Sequence, residues 1–165
     1  MLLKLDAFAR YPFTIMPGAM VDDSAIIGER TFIGHNVVIE ASGGKYPQTV
    51  IGKHVCIQHL SSITAGMVID DDVFLGPCVC TLNTRHICWG RDLHYTGCRK
   101  PPAIRRGARI GGGAVILPGV EIGEEAEIGA GSIVTRDCEA FGRYIGNPAR
   151  KIGEVPIEER YQQRG

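Results

Sequence analysis

The sequence predicts an all-β solenoid built from six-residue units, and three observations carry that prediction. Aliphatic residues recur at every sixth position: Val21, Ile27, Ile33 and Ile39; Ile51, Ile57, Ile63, Ile69 and Leu75; Ile104, Ile110, Ile116, Ile122, Ile128 and Val134. The position after them is often glycine, as at Gly28, Gly34, Gly52, Gly76, Gly111, Gly123 and Gly129. The fifth slot is often small or β-branched, as at Ala25, Thr31, Val55, Ser61, Ala108, Ala114 and Ser132. A helix repeats its apolar face at 3.6 residues and a strand at 2, so a strict six fits neither as a lone element. It fits a short strand followed by a tight turn. Three such units close a triangular coil of eighteen residues, with the aliphatic slots pointing inward and stacking coil on coil. Each buried Ile or Val contributes roughly 1.5 to 3 kcal/mol, so about six coils accumulate a continuous core.

The segments follow in order. Residues 1–20 are aperiodic, are punctuated by Pro12 and by Pro17-Gly18, and read as a cap on the first coil. The β-helix is expected over 21–140. Between Ile39 and Ile51 the phase is kept although Lys45 falls in an inward slot, so a small loop is expected at GGKYPQ. Between Thr81 and Ile104 the interval is not a multiple of six, and the chain must leave the coil and return. This excursion, at about 84–103, carries Trp89, Leu93 and Tyr95; long loops on rigid scaffolds are where function concentrates. The last inward slot is expected near Ala140, and 141–165 forms a tail whose end reads as a short helix able to cover the end of the solenoid.

The 165 residues suit one domain, 1–165, with 44% apolar content. Lys plus Arg and Asp plus Glu are 18 each, so no net field draws in nucleic acid or an anionic membrane. No two of the six cysteines are spaced as C-x-x-C, and the opening MLLKLDAFAR lacks a long apolar stretch. A cytoplasmic protein with free thiols is expected.

Two motifs go beyond the generic repeat: DDVFLGPCVCTLNTRH at 71–86, and IGAGSIVTRD at 128–137 followed by IGNPARKI at 145–152. With them the sequence resembles the hexapeptide-repeat acyltransferases. These are left-handed β-helix proteins, and the similarity is to the sugar and aminosugar O- and N-acetyltransferases. The resemblance implies acetyl-CoA as co-substrate and no metal. It also implies a small-molecule acceptor such as a sugar or sugar nucleotide, and a homotrimer with each active site in the cleft between two solenoids. Aminosugar N-acetyltransferases have an Asn at the position of Asn83, and galactoside and maltose enzymes have a catalytic His at that of His86. The chain departs from the latter at Ile87, where proline is common.

The chemistry suits these side chains. Imidazole, with a reference pKa of about 6.5, can take the proton of an attacking hydroxyl, which makes His86 the expected base. Asn83 can position the acceptor or donate to the charge developing on the thioester oxygen. An amine acceptor attacks unaided and makes the base matter less. Gly112 and Ala130 lie one coil apart, and by resemblance they and Thr135 line the pantetheine slot, with Arg150 reaching a phosphate and Lys151 assisting. Two other readings stand beside this one. In gamma-class carbonic anhydrases the same coil binds zinc, and His54 and His59 have that family's separation of five, but one position out of phase, where Lys53 and Gln58 would have to be histidine. A non-catalytic β-helix scaffold is the other.

Overall fold

The computed structural model describes residues 13–41, 47–86 and 99–161. Their strands are mostly two residues long and fall into three sheets of eight, six and five strands, which we number I, II and III. Successive strands pass from sheet I to II to III and back, and within the coils every pairing is parallel, the signature of a β-helix. Pairs such as Arg109↔Glu127, Ile110↔Ile128 and Val115↔Ile133 are eighteen residues apart, the predicted coil length. Neighbouring rungs of such a stack lie about 4.8 Å apart.

The periodic residues fill the interior. Ile33, Ile57, Ile63, Leu75, Ile104, Ile110, Ile116 and Ile122 are completely buried, and with Val37, Val79, Ala108 and Ala114 at the corners they form one core. Thr81 takes an inward slot too, where its hydroxyl donates to Ser62 O at 3.1 Å and accepts from Thr64 N–H at 2.9 Å.

The boundaries differ from the sequence reading at both ends. Phe13–Ile15 is already a rung, paired with Thr31–Ile33, so the solenoid begins inside the segment expected to be a cap. Ile15 is six residues before Val21 and in phase with it. At the far end Ala140 is exposed, and Cys138 is the buried residue, bridged to Ile122. Arg136 and Asp137 break the six-residue phase just before it. The tail is an antiparallel hairpin, Gly142–Gly146 with Ala149–Glu154, followed only by a 3-10 turn at Ile157–Glu159. That turn is fastened along sheet I rather than over the end: Arg143 pairs with Glu159 at 2.7 Å, and Tyr161 N–H donates to Glu125 Oε2 at 2.7 Å.

The three edges of the prism have different chemistry. The III–I edge carries polar and charged contacts, including the Arg106–Asp72 ion pair and the His54 Nδ1–Asp72 hydrogen bond, each at 3.1 Å. Both excursions leave from the II–III edge. Their returns meet at Gly66, where an added Cβ would lie 3.2 Å from Pro101 Cγ and 3.5 Å from Pro47 O. Lys45 and the loop residues 87–98, including Trp89, Leu93, His94 and Tyr95, lie outside the described residues.

At the I–II edge the chain turns through a left-handed residue in every coil. In order along the prism these are Gly18, Asn36, Leu60, Cys78, Gly113 and Gly131, with φ between 53° and 81°. The side chains on this edge shrink toward the C-terminal coils.

Candidate active site

The sequence-predicted residues occupy two edges. Asn83 and His86 lie on the II–III edge of the fourth coil. Gly112 and Ala130 lie on the I–II edge of the fifth and sixth coils. Sheet II separates the two groups within one chain, so a single solenoid does not bring them together.

At the II–III edge Asn83 is engaged at both ends of its amide. Nδ2 donates to Ala65 O at 3.1 Å, and Oδ1 accepts from Thr84 Oγ1 at 3.0 Å. Its carbonyl accepts from Lys100 N–H at 2.7 Å, and Thr84 pairs with Arg99 in an antiparallel bridge. Asn83 therefore pins the root of the excursion to the preceding coil, a structural task its type alone did not reveal. His86 follows on a bend and is exposed. Beside this root lies a cavity of about 700 Å³ lined by Asp22, Val38, Glu40, Ala65 and Arg99 among others.

The I–II edge provides a slot without side chains. Gly131 N–H donates to Gly112 O at 2.9 Å, confirming the one-coil stacking of Gly112 and Ala130. A Cβ added at Gly131 would meet nothing within 4 Å, and one at Gly113 only Gly131 N at 4.0 Å. Open backbone of this kind lets an amide-bearing chain lie against it, as a strand lies along a sheet edge. Below the slot, Gly146 N–H donates to Ser132 Oγ at 3.1 Å and Ile145 packs on Gly129, so the hairpin carrying Arg150 hangs from the same edge. Arg150 is exposed and, among the described residues, donates to its own neighbour's carbonyl, Ala149 O, at 3.0 Å.

Lys151 is already neutralised, by Glu139 at 2.6 Å and Glu154 at 3.7 Å; the Glu139 contact holds its ammonium above the usual lysine range. Arg136, which the sequence reading passed over, joins Arg150 and Lys151 around a cavity of about 150 Å³. Thr135 is exposed just before it, at the foot of sheet II rather than on the I–II edge.

Above the slot the same edge carries two histidines. His59 Nδ1 accepts from the His35 backbone N–H at 2.9 Å, and His35 Nδ1 donates to Pro17 O at 3.0 Å. Their ring centroids are 5.3 Å apart, and Phe32 meets His59 edge-on at 6.3 Å. The signal in the sequence was positional: His35, His59, Pro77, Gly112 and Ala130 hold the same place in successive coils. His54 lies on the other side of sheet I, paired with Asp72. The His54–His59 pair is thus split between edges and does not converge on one metal within a single chain.

Fold and site together define a left-handed parallel β-helix of hexapeptide repeats with an edge slot and an excursion at its fourth coil. The family model described as bacterial transferase hexapeptide (six repeats) matches residues 101–136. Residues 101–136 carry the repeat of this transferase family, and the chain is similar to its acetyltransferases. It is 31% identical over 135 residues to a serine acetyltransferase of Buchnera aphidicola, a match covering 81% of this chain and 46% of that protein. The chain thus spans about half the length of the curated relatives it matches.

Among solved structures, it resembles a hexapeptide-repeat-containing acetyltransferase from Vibrio cholerae complexed with acetyl coenzyme A. There the identity is 25% and the TM-score 0.64, covering 84% of this chain and 72% of that one. It also resembles a mutant GDP-perosamine N-acetyl transferase from Caulobacter crescentus in complex with CoA and GDP-perosamine. That match has 26% identity and a TM-score of 0.67, covering 86% of this chain and 57% of that one.

Proposed function

We propose that the protein is an acetyl-CoA-dependent acetyltransferase acting on a small polar acceptor, with His86 as general base. The observation that carries the reading is the glycine-lined stretch of the I–II edge in the fifth and sixth coils, above a cluster of cations. Acetyl-CoA, held there, supplies the activated acetyl group. Gly113 and Gly131, where an added Cβ would meet almost nothing, leave room for its pantetheine beside the Gly112 and Ala130 backbone, and Arg150 and Arg136 offer charge to its phosphates. Lys151 is a weaker candidate, because Glu139 and Glu154 already hold it.

A second copy of the chain is part of this reading. A cyclic assembly uses two different surfaces of each subunit, and packing around sheet II sets the II–III edge of one copy against the I–II edge of the next. His86 of one solenoid then faces the slot of its neighbour. The outward residues of the sheet II strands support this: Met20, Val38, Ser62, Cys80, Val115 and Ile133 are all uncharged, with Leu82 and Leu117 beside them. The homotrimer implied by the family resemblance is such an assembly.

The acceptor enters at the cavity beside the excursion root. A hydroxyl acceptor is favoured first, because the curated relatives are serine acetyltransferases and a hydroxyl needs a base. An amine on a sugar nucleotide is the second reading, favoured by the likeness to the Caulobacter enzyme. Thiol release from acetyl-CoA, measured across serine-like hydroxyls, simple sugars and amino-sugar nucleotides, tests both. With a hydroxyl acceptor, His86→Ala is expected to lower kcat by roughly 10²- to 10⁴-fold; with an amine the loss is small. Wild-type protein that neither turns over nor binds CoA sinks the transferase reading.

A further inference from the structure

We infer that His59 is a hydrogen-bond donor to the reacting carbonyl oxygen, and that His35 is the positioning residue that keeps it one. The inference rests on the transferase reading above and assigns a role that reading leaves vacant. Asn83, the sequence candidate for that role, is tied into the excursion root of its own chain, with Nδ2 donating to Ala65 O and Oδ1 accepting from Thr84 Oγ1.

The tautomers follow from the partners. A backbone N–H can only donate, so His59 Nδ1, 2.9 Å from His35 N, must accept, and the proton of the neutral ring is on Nε2. A carbonyl can only accept, so His35 Nδ1, 3.0 Å from Pro17 O, carries its proton and is anchored by it. His59 cannot hold a proton on Nδ1 while it accepts from His35. It therefore presents an N–H and no free lone pair, which suits a donor and not a base. Phe32 edge-on and the His35 ring at 5.3 Å hold the imidazole in place.

Position supplies the rest. Going up the I–II edge from the slot, Ala130 and Gly112 are followed by Pro77-Cys78 and then by His59. Cys78 N–H donates to His59 O at 2.9 Å, so the two corners are in direct register. A chain lying along the glycine-lined rungs meets Pro77 and Cys78 first and His59 one rung on, which puts its reactive end there. In the transfer, the acceptor oxygen or nitrogen forms its bond to the acetyl carbon as the C–S bond breaks. The acceptor proton passes to the base, the sulfur leaves with the bonding pair, and His59 Nε2–H donates to the carbonyl oxygen without giving up its proton.

The test compares His59→Leu with His59→Gln, whose amide keeps a donor. Loss of one such donor lowers kcat by about 10²- to 10³-fold. His59→Leu should show that loss with acetyl-CoA Kd unchanged, His59→Gln should recover most of it, and the acidic limb of the pH–rate profile should persist in His59→Gln. Equal activity loss in both variants, or disappearance of that limb, overturns the assignment and makes His59 a base instead. Nitrogen-15 NMR of the wild-type histidines reads the tautomer without turnover: an Nδ1-protonated neutral His59 also overturns it. Thermal melts and CoA binding show that each variant is folded. If wild type itself neither binds CoA nor releases thiol, the transferase reading fails and this role with it. If wild type turns over and the Leu–Gln pattern fails, only the His59 role is lost.

Discussion

Single residues show how far identity alone leads. His86 and Asn83 drew attention together because they flank the break in the repeat, yet Asn83 is a fastener and His86 an exposed side chain. Lys151 read as a phosphate ligand, and it is held by two glutamates. His59 drew attention only for its spacing from His54, but its function depends on which atom of His35 it meets, and no spacing rule encodes that contact.

Cys138 makes a prediction at this scale. Burial pushes its thiol from 9.0 up to about 12, with Asp137 adding to the shift. The unfolded chain releases this proton near its ordinary value while the folded chain keeps it. Above about pH 9 the unfolded state therefore binds fewer protons, and stability falls with pH by up to about 1.4 kcal/mol per unit toward pH 12. Urea titrations between pH 8 and 11 should show this decline in wild type and a shallower one in Cys138→Ala. In the folded protein an alkylating reagent should label exposed Cys78 and spare Cys138.

At the scale of the element, the six-residue period was fully informative about what lies inside. Every aliphatic slot from Ile33 to Val134 is buried, because a two-residue strand leaves only one side chain per unit to face the core. The ends were harder to read. A terminal coil has a neighbour on one side only, so Ile15 is 42% exposed and its run is too short to register as periodic. The hairpin escaped because antiparallel pairing replaces the repeat at Gly142, and the Arg143–Glu159 and Tyr161–Glu125 contacts that hold the tail join residues distant in sequence.

Corner glycines give a contrast that sequence cannot supply. A Cβ at Gly111 would lie 2.4 Å from Ala130 N, so Gly111→Ala must pry two coils apart. A Cβ at Gly131 has open space, but φ is 69°. Gly111→Ala should cost about 3 kcal/mol and Gly131→Ala about 1 to 2 kcal/mol, measured by chemical denaturation. Equal costs would mean that the coils give way at Gly111 with little resistance.

For the whole molecule, the fold class was readable from the repeat alone, and the arrangement of the site was not. Counting by eighteen places a residue along the prism and on one of its edges. It does not say that the excursion root and the slot sit on opposite borders of sheet II, which emerges only when the strand order I, II, III is set out. An assembly that joins unlike edges accounts for why one chain carries the two halves apart.

Subunit complementation tests that account most directly. Gly112→Trp blocks the slot and His86→Ala removes the base, so each variant alone should be nearly inactive toward a hydroxyl acceptor. Refolded together in equal amounts, random mixing in a cyclic assembly pairs an intact slot with an intact neighbouring His86 at about one site in four. The account predicts recovery of about a quarter of wild-type thiol release. A mixture as inactive as its components would contradict it, and would put the complete site within one chain.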